Sequence, residues 1–346
     1  MHAENFAYFP YPLRFCLTPM PLVAESRYRP PFYLFNGHLQ TIVPSLLRAV
    51  PEVQYRRQRV ETPDGDFLDL DWSRPEHATD TLGIISHGLE GDAGRPYVRG
   101  MARALNQAGL DALAWNYRSC SGEPNRLLRA YHLGDTDDLH FVVQQALRTG
   151  RYRRVFLTGF SAGGNMTLKY LGEDAARVPR AVERAAVFSV PTDLKAGAMH
   201  ISRLQNRIYL NRFLKTLRAK IRRKAELLPG QLSLEGLEEL SDFPQFDDRY
   251  TAPLHGFRSA DEYYERSSSG RYLDGIRIPT LIVNAQNDPF LPPACFPRAA
   301  AERSPYVFLE TPAAGGHVGF AEGLPSDGQY YSERRAVEFL TAPVPG

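Results

Sequence analysis

The sequence predicts an α/β fold, with a mostly parallel central sheet flanked by helices and a helical insertion near its middle. Three observations predict it. Short apolar runs alternate with helical patterns from about residue 82 to 190, which is the signature of a parallel sheet covered on both faces. The alternation stops over residues 191–256, where no strand pattern is present. It then resumes with two further β-rich runs and a closing helical pattern. A chain of 346 residues accommodates one such core plus an insertion.

Residues 1–50 read as an N-terminal extension packing on the core. The first thirty carry Pro10, Pro12, Pro19 and Pro21 and lack a basic stretch followed by a long apolar run, so a signal peptide is not expected. The core spans residues 51–190 and 257–346. Its "FLDLDW" run alternates Leu68, Leu70 and Trp72 with Asp69 and Asp71. Period two implies one wet face and an antiparallel edge strand. Buried strands follow at Leu82–Ser86, Leu110–Asn116, Arg154–Phe160 and Ala185–Val190, with helices at Val98–Gln107 and Asp137–Arg148 between them. The insertion, residues 191–256, reads as a helical cap. Ile201, Leu204, Ile208, Leu214, Leu217 and Ile221 mark one apolar stripe in it. Six arginines from Arg203 to Arg223 interleave and read as a solvated face, with attraction of anionic or lipid-surface substrates as the alternative. Strands at Thr280–Gln286 and Tyr306–Glu310 and a helix from about Ser332 close the core.

Composition narrows the function classes. A net charge of +2 gives no reason to expect a nucleic-acid partner. Cys16, Cys120 and Cys295 are widely spaced and form no C-x-x-C, so neither a disulfide framework nor a zinc site is indicated. No apolar run reaches the roughly 18 residues of a membrane helix. A cytoplasmic protein without stable membrane insertion is expected. Cys120 reads as a buried structural thiol. The Asp135, Asp137 and Asp138 group reads as helix N-terminal charge rather than a metal site.

The chemistry begins at Gly159-Phe160-Ser161-Ala162-Gly163, a G-x-S-x-G between a buried strand and a helical pattern. That context makes a nucleophile elbow, in which Ser161 sits on a tight turn that its neighbours must be small to permit. The alternative is a glycine-rich turn with a structural serine. A serine nucleophile needs a base, usually histidine. Among the nine histidines, only His200, His255 and His317 follow Ser161. His317 alone lies in a Gly-rich loop after the last strand pattern, where the chain order serine–acid–histidine puts it. Asp288, just past a strand in "TLIVNAQNDPFLP", is the expected acid. Asp193, which also suits a helix N-cap, is the second candidate. The oxyanion donors are expected to be the amides of Ala162, directly after the nucleophile, and Leu89, in "ISHGLEGD" after an early strand. His87 reads as a brace for that loop.

These motifs together resemble the bacterial YheT-like hydrolases and their eukaryotic ABHD1/2/3-type lipase relatives. The resemblance extends to "NGHLQTI", "PDGDFLDLDW", "HGLEG", "SGEPNR", "YHLGDTDDL", "FDDRYTAPLHGF", "NDPF" and "GGHVGF", from about residue 30 to 323. It implies an α/β-hydrolase fold, carboxylic-ester hydrolysis without a cofactor, and Ser161, Asp288 and His317 as triad. One position departs: Gly37 stands where that family usually shows proline. His38 beside it is singled out by the resemblance without a chemical role. The expected substrate is a small-molecule ester, lipid-like esters included. Acyl transfer to an alcohol by the same triad, or a non-catalytic binding protein, are the alternatives.

Overall fold

The computed structural model describes residues 22–23, 25–50, 53–323 and 328–342. Cys16 and the four N-terminal prolines lie outside the described residues. Helix α1 (Gly37–Leu47) precedes the sheet strands β1 (Arg56–Glu61), β2 (Phe67–Ser73) and β3 (Thr81–Ser86). Helix α2 (Pro96–Gln107), β4 (Asp111–Asn116), α3 (Thr136–Arg148), β5 (Arg154–Phe160), α4 (Ala162–Glu173) and β6 (Val182–Phe188) follow in strict alternation. The eight strands lie in the order β1-β2-β4-β3-β5-β6-β7-β8, with β7 at Thr280–Val283 and β8 at Val307–Glu310. β2 runs antiparallel to β1 and β4, and the pairings from β4 to β8 are parallel.

Alternate side chains of one strand feed two different cores, as period two requires. Leu113 and Trp115 of β4 pack with Leu139 and Val143 of α3 and Met166 of α4. Ala112 and Ala114 face the other way, with Val98, Met101 and Leu105 of α2 and with Ala336 and Leu340 of the C-terminal helix. Helices therefore cover both faces of the sheet.

The "FLDLDW" expectation is corrected. Strand β2 is buried along its whole length and is the second strand, while β1 forms the edge. The polar half of the alternation is satisfied by charge rather than by water. Asp71 lies opposite Arg57 and Asp69 opposite Arg59, and each carboxylate accepts two guanidinium hydrogen bonds at 2.7–2.8 Å. Such bidentate pairs let a carboxylate sit inside a sheet.

Between β6 and β7 the chain is helical: α5 (Leu194–Ile201), α6 (Arg207–Leu227), short turns α7 (Phe243–Phe246) and α8 (Ala252–Leu254), and α9 (Ala260–Ser267). They share a third core, with Tyr209, Leu210, Leu214, Phe246 and Tyr263 at its centre, which packs on Leu89, Leu133 and Phe290 of the sheet's loops. The single apolar stripe expected here is also corrected. A 3₁₀ turn over Leu204–Asn206 separates α5 from α6, so Ile201 belongs to another helix. Leu204 and Ile208 point to solvent, and Tyr209 and Leu210 take the buried positions instead. The core closes with α10 (Arg298–Arg303) before β8 and α11 (Tyr331–Thr341) after it.

Candidate active site

Strand β5 ends at Phe160, and Ser161 stands just before α4 with a positive φ of 53°. A side chain rarely adopts that geometry, and the surroundings impose it. A Cβ at Gly159 would lie 2.5 Å from the Gly163 carbonyl oxygen, and one at Gly163 would lie 2.4 Å from that of Ser86. The two glycines are required by this crowding. The serine amide is held by the Phe188 carbonyl at 2.8 Å.

The loops after β7 and β8 bring Asp288 and His317 to this serine. His317 Nε2 is 2.9 Å from Ser161 Oγ, and its Nδ1 is 2.9 Å and 3.1 Å from the two carboxylate oxygens of Asp288. With the ring proton on Nδ1, histidine donates to the carboxylate and accepts from the serine hydroxyl. Asp193 is elsewhere, capping α5 by accepting from the Ala196 amide. His200 and His255 make no contact with Ser161; His255 Nδ1 donates to the Thr251 carbonyl. The ring of Phe290 stacks on His317 with centroids 4.0 Å apart, shielding the imidazole from water.

Sequence reasoning did not find what holds these two loops together. Gln40 of α1 is buried, and its Oε1 accepts from the Gly315 amide at 2.7 Å and from Asn287 Nδ2 at 2.9 Å. Thr41 accepts from the amide of His317 itself at 2.8 Å. Asn287 Oδ1 takes the Gly316 amide. One turn of α1 thus ties the acid loop to the base loop. The signal was present as the "NGHLQTI" run, but nothing in its pattern states which loops it serves. The glycine at position 37 has a local cause: a Cβ there would fall 2.0 Å from the Asn287 carbonyl oxygen. His38 stacks on Tyr209, and its Nδ1 lies 3.0 Å from that hydroxyl, joining α1 to α6.

The loop after β3 lies against the serine. The amide of Gly88 donates to Tyr97 Oη and that of Glu90 to Tyr131 Oη. The Leu89 amide between them has no acceptor among the described residues, and Ala162 is the first residue of α4, where helix amides lack internal partners. His87 is fully buried, donates from Nδ1 to the Gly88 carbonyl and accepts the Tyr117 amide on Nε2. Burial holds its pKa down at about 3, so it stays neutral and cannot replace His317 as a base. Glu90 has φ 55°, and its carboxylate receives Tyr131 Oη and Lys220 Nζ, both at 2.8 Å. Lys220 comes from α6 and also lies 3.1 Å from Cys120 Sγ. That thiol is buried and pushed up to about 11, which suits an inert cysteine.

Asp135, Asp137 and Asp138 pair with Arg129, Arg177 and Arg118, and no metal-binding cluster is present among the described residues. Two cavities meet at Ser161 and His317. One, of about 150 Å³, runs beneath the helical segment and is walled by Ile201, Phe213, Leu217, Phe243, Phe246 and Tyr263. The other, of about 360 Å³, is a groove between α1 and α6 lined by Leu46, Arg95, Ile208 and Arg212. The arrangement is suited to attack by a serine on a carbonyl flanked by an apolar part on one side and a second part on the other.

Comparison with known proteins bears on the fold and the family. Residues 84–324 match the family model described as the alpha/beta hydrolase fold. The protein "Putative esterase YheT" of Escherichia coli (strain K12) is 36% identical over 88% of this chain and 90% of its own length. "Phospholipase ABHD3" of Mus musculus is 29% identical over 96% of this chain and 82% of its own. A solved structure of the Pyrococcus furiosus esterase Pf2001 overlays with a TM-score of 0.55 at 17% identity, covering 85% of this chain and 95% of that one, a likeness of fold. The chain belongs to the α/β-hydrolase family, in the branch that holds YheT and the ABHD3 phospholipases.

Proposed function

We propose that the protein is a serine hydrolase that cleaves carboxylic esters with an apolar acyl chain. The observation that carries this reading is the unbroken relay from Asp288 through His317 to Ser161, with its 2.9 Å contacts on both ring nitrogens. Ser161 Oγ attacks the ester carbonyl as its proton passes to His317 Nε2. Asp288 holds the imidazole tautomer and stabilises the imidazolium that forms. The amides of Leu89 and Ala162 receive the oxyanion. His317 then gives its proton to the leaving alcohol, and activates the water that releases the acid from the serine.

The helices between β6 and β7 act as a cap, with the acyl chain in the aromatic chamber beneath it and the alcohol in the groove. The groove reaches Ser161 from solvent and admits water, which favours hydrolysis over transfer to a second alcohol. We place the enzyme in a reducing, cytoplasmic setting, because Cys120 and Cys295 are both free thiols within the fold.

A fluorophosphonate probe and a ladder of p-nitrophenyl esters test the reading. Wild type is expected to label and to turn over, and Ser161→Ala to do neither, with a loss of about 10⁶ in turnover. Absence of labelling and of turnover on every ester in wild type would return the fold to a binding role.

A further inference from the structure

Nine large hydrophobic side chains are exposed among the described residues, and seven of them lie in two short segments. Phe32, Phe35, Leu46 and Leu47 come from α1 and its approach. Met199, Leu204 and Ile208 come from the end of α5 and the start of α6. The two segments touch, through the His38–Tyr209 contact. They also face each other across the groove that leads to Ser161, where Leu46 is 65% and Ile208 68% exposed. A soluble surface scatters its exposed apolar side chains singly; a cluster at a cavity mouth marks a contact.

The charge of this rim has one sign. Residues 28–50 and 199–216 include no aspartate or glutamate, in a chain that has 39 of them. Arg203, Arg207, Arg212 and Lys215 are exposed, and no carboxylate of the described residues lies within ion-pair distance of them. The second half of the same helix behaves differently. Arg218 donates to the carbonyls of Leu237 and Leu240, Arg222 pairs with Glu238 and Arg223 with Glu226. These free cations thus lie in the first half of α6 and the turn before it, the stretch that carries the exposed Leu204 and Ile208.

We propose that this rim docks the enzyme on an anionic lipid bilayer, with the groove opening onto the membrane surface. Apolar side chains interleaved with arginines suit the boundary between headgroups and acyl chains, where leucine and isoleucine enter and the guanidinium groups meet lipid phosphates. A second copy of the chain fits less well, because a two-fold contact through this patch would set its cations against themselves. No helix among the described residues is long and apolar enough to cross a membrane, so the attachment is peripheral. The proposal rests on the ester-hydrolase reading only for what the docked enzyme does, which is to draw an ester from the bilayer into the groove.

Co-sedimentation with vesicles of phosphatidylcholine alone, and of phosphatidylcholine with phosphatidylglycerol, tests it on the full chain. Wild type is expected to bind the anionic vesicles and to lose most of that binding at 1 M salt, where charges are screened beyond about 3 Å. The double variant Arg203→Glu/Arg207→Glu should bind at least about tenfold less, and Leu204→Ser a few-fold less. Both should hydrolyse a short soluble ester at the wild-type rate, since none of these residues lines the cavities. Equal binding to both vesicle types, or binding indifferent to the charge reversal, overturns the proposal. So does a dimer in sedimentation velocity that Leu204→Ser abolishes while wild type ignores vesicles. Vesicle binding by an enzyme that cleaves no ester would leave the docking surface standing and remove the ester reading.

Discussion

The loops at the ends of the strands and the helices that cover them are built on different principles. The acid and base loops are cross-braced by buried polar contacts: Gln40 to both loops, Thr41 to the His317 amide and Asn287 to the Gly316 amide. The helical segment has an aromatic core, and its polar contacts with the rest of the molecule are spread over several elements. Among them are Lys220 on Glu90, Lys224 on the carbonyls of Asn125 and Leu127, Asn206 on the Pro289 carbonyl, Tyr209 on His38, Tyr263 under the Leu133 amide and the Ser267 carbonyl under Asn165. Directional bonds fix positions to a few tenths of an ångström, while apolar packing fixes volume and tolerates repacking. The loops that carry Asp288 and His317 are therefore positioned by directional bonds, and the helical segment over the cavity is shaped chiefly by volume.

Four substitutions break or sharpen that contrast. Asp288→Asn should lower kcat by about 10⁴ through the wrong imidazole tautomer, with the fold intact by circular dichroism. Gln40→Leu strips the bonds to Gly315 and Asn287. A buried amide left unsatisfied costs about 1–3 kcal/mol, measurable as a lower urea midpoint, and the displaced loops should cost roughly 10² in kcat. Lys220→Met releases Glu90 from α6 and loosens the turn beside Leu89. Turnover should fall about tenfold, short of the 10²–10³ for outright loss of an oxyanion donor, with KM little changed and partial recovery in Lys220→Arg. If Lys220→Met proves more damaging than Gln40→Leu, the contrast is reversed, because the helical segment is then the stricter positioning element.

The smallest effect concerns stability alone. Asp247 is half-buried on the wall of the cavity beneath the helical segment, where loss of hydration pushes its pKa up to about 6 despite the hydroxyls of Thr251 and Tyr264. The folded state then holds a proton that the unfolded chain has released from pH about 4 upward. Stability should decline as pH rises through that window to about 6 and level off above it. Asp247→Asn should flatten this portion of a urea-midpoint profile.

The legible part of the molecule followed the same division. The alternation of apolar runs places the strands, because burial on both faces writes a continuous apolar string. The serine, acid and histidine could be ordered because a strand, a glycine pair and a turn each leave a local mark. The β2 strand misled because Asp69 and Asp71 are the residues that face water in most strands, and their partners Arg57 and Arg59 lie on a neighbour that no local rule names. The stripe of the helical segment misled for a related reason. Leu204 and Ile208 fit the spacing, but exposure is decided by what the helix packs against. Gln40, Thr41 and Lys220 were invisible as positioning residues, since their meaning lies in loops distant in sequence.

The reach of Gln40 has a consequence for how the enzyme comes into being. It is bonded to Gly315, 275 residues further along the chain. At about 5–20 residues per second, α1 leaves the ribosome roughly 14–55 s before its partner exists. For that interval the helix that will brace the site has nothing to brace. Hydrolytic competence must therefore be among the last properties a nascent chain acquires, after the sheet strands that carry the serine have been made.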